Sequence, residues 1–235
     1  MHVRLLGGAA FLLALISLPD FAAVYSRAEG GNEYQIKTVD KSPAPKEVQE
    51  PIRKLLGDHC VQLLDAKNDL LAEVWFRKDV PVKATDAQIA NGLTYAEVPE
   101  ATVFAVIRFP KQITDYRKQK IPAGVYTLRL ANQPMDGDHM GTAPYSEFLL
   151  LSPTADDKTP ETMEAKKLQE MSGKTTGGHP GVMLLFPGKG AEATPKLEKK
   201  EENHWVLLFL LDAKAGDKKA VLPVGLTLIG VSSSA

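Results

Sequence analysis

Cysteine is nearly missing from this sequence, and so is any field of one charge sign. Cys60 is the one cysteine in 235 residues, so no intramolecular disulfide can form and stability must come from a packed core. Lysine and arginine (28) nearly balance aspartate and glutamate (29), leaving a formal net charge of −1. The lack of a basic field to gather phosphates argues against nucleic acid as the main partner. Short reaction motifs are lacking too: there is no G-x-S-x-G elbow, no H-E-x-x-H and no G-x-G-x-x-G after a strand. The glycines of "FPGKG" lack phosphate-loop spacing.

What is present begins at the N-terminus. Met1–Arg4 is short and positive, and "LLGGAAFLLALISL" then runs apolar from Leu5 to Leu18 before Pro19 and Asp20. As a helix that run rises about 21 Å, short of a hydrocarbon core of ~30 Å. The pattern reads as a secretory signal peptide over residues 1–28, with Ser26 and Ala28 as the small residues before a cut at Glu29, and Val24 and Ser26 before Arg27 as the competing site. The expected localisation is export, periplasmic or secreted, with no membrane span in the mature chain. The competing reading is an uncleaved anchor continuing through "FAAVY".

Residues 29–45 read as a polar linker ending in "KSPAP", and residues 46–235 as a single domain. Within it Glu50–Gly57 frames a short helix, and Thr85–Asn91 a helical turn closed by Gly92. Strands follow the apolar runs: His59–Asp65 and Leu70–Lys78 around "AKND", then Ala101–Phe109, "VYTLRL", "EFLLLSP", "GVMLLF", "HWVLLFLLDA" and "AVLPVGLTLIG". In the second strand Ala72, Val74 and Phe76 share one face, and Leu71, Glu73, Trp75 and Arg77 the other. Cys60 belongs to a strand as a small buried hydrophobe, with His59 on the opposite face. Pro223 places the last strand at an edge.

Thr159–Ser172 has the fullest helix signals, with Thr159 as cap, Pro160 in the first turn and Gly173 at the end. The mixed-sign stretch "GKGAEATPKLEKKEEN" reads as a solvated loop, and Asp156–Asp157 as turn and cap residues. Strands without a βαβ rhythm make the class mainly β. Runs apolar on both faces call for two facing sheets, hence a β-sandwich of about eight strands with a few short peripheral helices.

"IPAGVYTL" (Ile121–Leu128) resembles the strand entry I-P-A-G-x-Y-x-L of a family of exported bacterial domains of unknown function. The block from Asp136 to Pro153 is similar to that of other uncharacterised exported bacterial proteins. The resemblance implies a β-sandwich and export, and no reaction.

One stretch carries chemistry of its own: "NQPMDGDHMGTAPYSEFL", Asn132–Leu149. Asp136, Asp138, Gly141 and Glu147 occupy positions 1, 3, 6 and 12 of the calcium-loop pattern. Met140 offers a thioether where a hard cation wants oxygen, and strands rather than helices flank the loop, which argues against an EF-hand. A looser calcium site on Asp136, Asp138 and Glu147 remains open, beside a plain acidic turn made flexible by Gly137 and Gly141. A third arrangement joins His139 and His179 to Asp136 and Asp138 around zinc. His204 reads as the cap of an edge.

The leading expectation is therefore an exported, non-enzymatic module without a cofactor that binds a ligand or an envelope protein. The alternative is a metal-dependent hydrolase using the Asp136/Asp138/His139 loop with His179.

Overall fold

The computed structural model describes residues 33–133 and 143–233, and the backbone of Tyr25–Arg27. The described residues form fourteen strands. The first eight are β1 (Tyr25–Arg27), β2 (Tyr34–Val39), β3 (Cys60–Asp65), β4 (Leu70–Phe76), β5 (Val80–Pro81), β6 (Val103–Phe109), β7 (Ile113–Thr114) and β8 (Lys120–Ile121). After them come β9 (Gly124–Asn132), β10 (Glu147–Pro153), β11 (Gly181–Pro187), β12 (Lys196–Lys199), β13 (Trp205–Ala215) and β14 (Lys218–Ile229). The α-helices are α1 (Glu50–Arg53), α2 (Asp86–Asn91) and α3 (Ala165–Thr176).

The class is mainly β, as expected, but the strands outnumber eight and twelve of them share one sheet. Its order is β1-β2-β3-β4-β6-β9-β10-β11-β14-β13-β12, with β5 attached to β13, while β7 and β8 form a separate ribbon. The sheet curls until its two ends meet. Tyr34 of β2 stands edge-on to Trp205 of β13 at 5.2 Å, and Lys199 of β12 reaches Glu33 at 3.3 Å. Two halves of one curled sheet thus face each other across the core.

Alternation along each strand fills that core. Val61 and Leu63, Val74 and Phe76, Leu128 and Leu130, Leu149 and Leu151, Leu207 and Phe209, Val224 and Leu226 all point inward and are buried. Each such side chain contributes about 1.5–3 kcal/mol relative to an exposed one. The outward faces are covered separately. Ile52 of α1, with Val48 and Leu56, packs on Cys60, Trp75 and Val106. Leu168 and Met171 of α3 pack on Leu150, Val182 and Leu184. This is why several strands are apolar on both sides.

Four expectations need correction. Residues 29–45 are not a plain linker: Tyr34–Val39 is β2, paired in register with β3 from Tyr34↔Asp65 to Val39↔Cys60, and Ile36 points into the core. The charged loop before Trp205 contains β12, held by Leu197 in the same core. Pro223 lies in β14, an interior strand, but the ladder to β11 ends at Pro187↔Val224, so its missing N–H breaks no rung there.

The third helix starts five residues later than its cap signal predicts, capped at Glu164 and not Thr159. The carbonyls of Thr159 and Glu161 are bound by Arg129, which holds the segment out of helical geometry. It also runs past Gly173, because Gly177 (φ 82°) supplies the left-handed turn that ends it. Gly173 is needed for another reason: an added Cβ would stand 2.5 Å from the Gly178 carbonyl oxygen. The apolar stripe of α3 is thin because Ser172 and Thr175 donate to the Leu151 carbonyl at 2.6 and 3.0 Å.

Candidate functional site: the open seam of the sheet

Where the curled sheet closes on itself, the seam is sealed at one end and open at the other. At the sealed end β12 pairs β13 from Lys199↔Trp205 to Lys196↔Leu208. Beyond it, β5 pairs β13 only at Ala213 and Lys214. Among the described residues Phe209–Asp212 therefore has no strand on that side, a gap of about 13 Å at ~3.3 Å per residue. Across the gap, β1 pairs β2 from Arg27↔Gln35 to Tyr25↔Lys37, the last rung among the described residues.

Strand alternation shows which backbone groups face the opening. His204 accepts from Lys200 N–H at 2.7 Å on the β12 side, and Lys214 accepts from Val82 N–H at 2.8 Å on the β5 side. Counting by twos between them, Leu210 and Asp212 turn their N–H and C=O toward the gap. The Leu210↔Pro223 rung agrees, since proline has no N–H to return.

The gap opens into a cleft of about 800 Å³. Its floor is the inner core surface, with Phe76 and Phe209 in contact at 4.0 Å between ring centroids. Its polar lining brings Lys37, Lys41, Arg77 and Lys78 against Asp40 and Asp212, four cations to two carboxylates. Half-buried Arg77 donates Nε–H to the Asp79 carbonyl at 2.7 Å. Burial, then repulsion from Arg129, lowers its pKa, against the opposing attraction of the Asp79 carboxylate. His59, which lies just before β3 and not within it, also lines the cleft, with Nδ1 3.8 Å from the Asp58 carboxylate.

The metal candidates fall elsewhere. Asp136, Asp138 and His139 lie outside the described residues. Glu147 opens β10 opposite Asn132, whereas exposed His179 precedes the rung Leu151↔Gly181 at the other end of the β10–β11 pair. About 13 Å of strand separates Glu147 from that rung, so the two do not converge on one ion. Among the described residues no three His, Cys, Asp or Glu side chains are grouped to hold a metal.

Sequence reasoning missed the seam because no local pattern encodes it. Lys41 follows β2, Lys78 follows β4 and Asp212 sits on β13; only the curl of the sheet brings them together. Asp157 and His204 were legible as polar residues, but not as buried ones (1% and 2% exposed). No family model, curated protein or solved structure matches this chain.

Proposed function

We propose that this chain is an exported, non-enzymatic binding module that accepts an extended acidic segment of an envelope protein as an added strand in its seam. The observation that carries the reading is the edge at Phe209–Asp212, which has no strand partner among the described residues and where Leu210 and Asp212 turn backbone donors and acceptors away from β14. Exposed strand edges are templates for pairing, and natural folds usually shorten or cover them. This one is left open inside a lined cleft. Main-chain pairing would supply affinity, and alternate side chains would meet the Phe76–Phe209 floor. The excess of Lys41, Arg77 and Lys78 over Asp40 and Asp212 favours carboxylates on the incoming strand. Export rests on the basic-then-apolar leader.

The test is a titration of the full mature chain with a fluorescein-labelled heptapeptide alternating Glu and Val. Binding should saturate and slow hydrogen exchange at the amides of Leu210 and Asp212. A peptide N-methylated at alternate residues, or one with Lys for Glu, should bind at least about tenfold more weakly. Equal binding of either control, or no protection at those amides, overturns the proposal.

A further inference from the structure

A second cavity, sharing no lining residue with the seam, lies where the chain enters β13. It measures about 310 Å³, at the small end for a ligand site. Three of its walls are the aromatic residues Tyr116, Tyr145 and Phe186, and His204 is the fourth. The rings follow one another: Tyr145 to Phe186 at 4.9 Å, Phe186 to His204 at 5.8 Å, His204 to Tyr116 at 5.7 Å. Exposed Glu201 and Glu202 stand at the mouth. Burial chiefly pushes the Tyr116 hydroxyl pKa up, and the negative charge of Glu202 adds to it, so that carboxylate acts on the cavity wall.

His204 gives the cavity its direction. Only 2% of the residue is exposed. Its Nδ1 lies 2.9 Å from the Glu201 carbonyl oxygen, which can only accept, so Nδ1 carries the ring proton. In the neutral ring Nε2 is then an acceptor, buried and without a hydrogen-bond partner among the described residues. The ring cannot swing away toward Gly230, where even an added Cβ would stand 2.3 Å from Cδ2. A buried acceptor left unpaired beside aromatic faces and carboxylates asks for a ligand that is both a cation and an N–H donor.

We propose that this cavity binds a protonated alkylamine, either a free small amine or the side chain of a lysine on another protein. The ammonium group lies against the faces of Tyr116, Tyr145 and Phe186 and donates one N–H to His204 Nε2. Glu201 and Glu202 balance its charge. The site is independent of the seam reading and goes beyond it, since the two cavities share no residue.

The proposal is tested by following the ring nitrogens of His204 by NMR in isotope-labelled full-length mature protein. Cadaverine and Nα-acetyl-lysine methylamide are the probes; Nα-acetyl-norleucine methylamide and choline are the controls. Saturable movement of the Nε2 signal with either amine is expected, and the better of the two identifies the source as free amine or protein lysine. Norleucine, lacking charge, and choline, lacking N–H, should each bind at least about tenfold more weakly. Glu202→Gln and Tyr145→Leu should weaken the amine by about the same factor with the melting temperature retained. No movement with either amine, an equal response to norleucine or choline, or unchanged affinity in both variants overturns the site.

Discussion

Arg129 and Asp157 are withdrawn from solvent and meet as a two-pronged ion pair, Nε to Oδ2 at 2.7 Å and Nη2 to Oδ1 at 2.8 Å. The remaining guanidinium donors go to carbonyls: Nη1 to Ala101 and Glu161 at 2.6 and 2.9 Å, and Nη2 to Thr159. Thr127 donates to Asp157 Oδ2 at 2.6 Å. All five guanidinium N–H groups are used, which makes burial of this charge tolerable. One side chain on β9 thereby fixes the path from β10 to α3.

Removing the carboxylate charge leaves that guanidinium buried without its counter-ion. Asp157→Asn should cost about 3–5 kcal/mol in urea unfolding. Arg129→Lys should destabilise as well, because an ammonium cannot reproduce the fork or reach three carbonyls. A loss below about 1 kcal/mol for Asp157→Asn would show that the pair is open to solvent.

Tyr95 acts as a neutral bridge. Its hydroxyl donates to the Phe186 carbonyl at 2.7 Å and accepts from Gly225 N–H at 2.9 Å, joining β11 to β14 from inside. Burial raises its pKa, so the phenol stays protonated and able to donate. Tyr95→Phe keeps the ring and strands both backbone groups, at a cost of about 1–3 kcal/mol. Native-state hydrogen exchange should report the Gly225 amide opening faster than its neighbours.

How much of this could be read from the sequence depends on range. Strands set by alternation, such as Leu70–Phe76 and Gly124–Asn132, lie where the residues put them, because the two-residue period is local. So does the burial of Cys60. The start of α3 was not legible, since Arg129, some thirty residues upstream, overrides the Thr159 cap signal by taking the segment's carbonyls. Strands β2 and β12 were hidden by polar outward residues: Tyr34 and Ile36 in β2 and Leu197 in β12 mark their inner faces. The seam and the aromatic cavity depend on the sheet's closure, which no window of sequence contains.

Metal removal separates the acidic-loop readings. If the leading function holds without a cofactor, protein purified without added metal should melt at the same temperature with and without chelator. An ion held at a hundredfold excess over its Kd would contribute about 2.7 kcal/mol, roughly 5–11 °C for a chain of this size. A fall of that order on adding EDTA would instead favour calcium on Asp136, Asp138 and Glu147. Zinc shared with His179 would show as a chelator effect lost in His179→Ala.

Cys60 provides a pH signature. Burial chiefly raises its pKa, opposed by a hydrogen bond with Ser42, so the folded thiol keeps a proton that the unfolded thiol releases above about pH 8.5. The folded state then binds more protons, and its stability falls as pH rises past the unfolded value toward the folded one. Below about pH 8 the contribution is fully present. Urea midpoints from pH 7 to 10 should therefore decline more steeply for the native sequence than for Cys60→Ala, whose slope lacks this thiol. The same burial should keep Cys60 unreactive toward iodoacetamide at pH 8 until denaturant exposes it. Parallel slopes, or rapid alkylation of the folded chain, would place Cys60 at the surface instead of beneath Ile52 and Trp75.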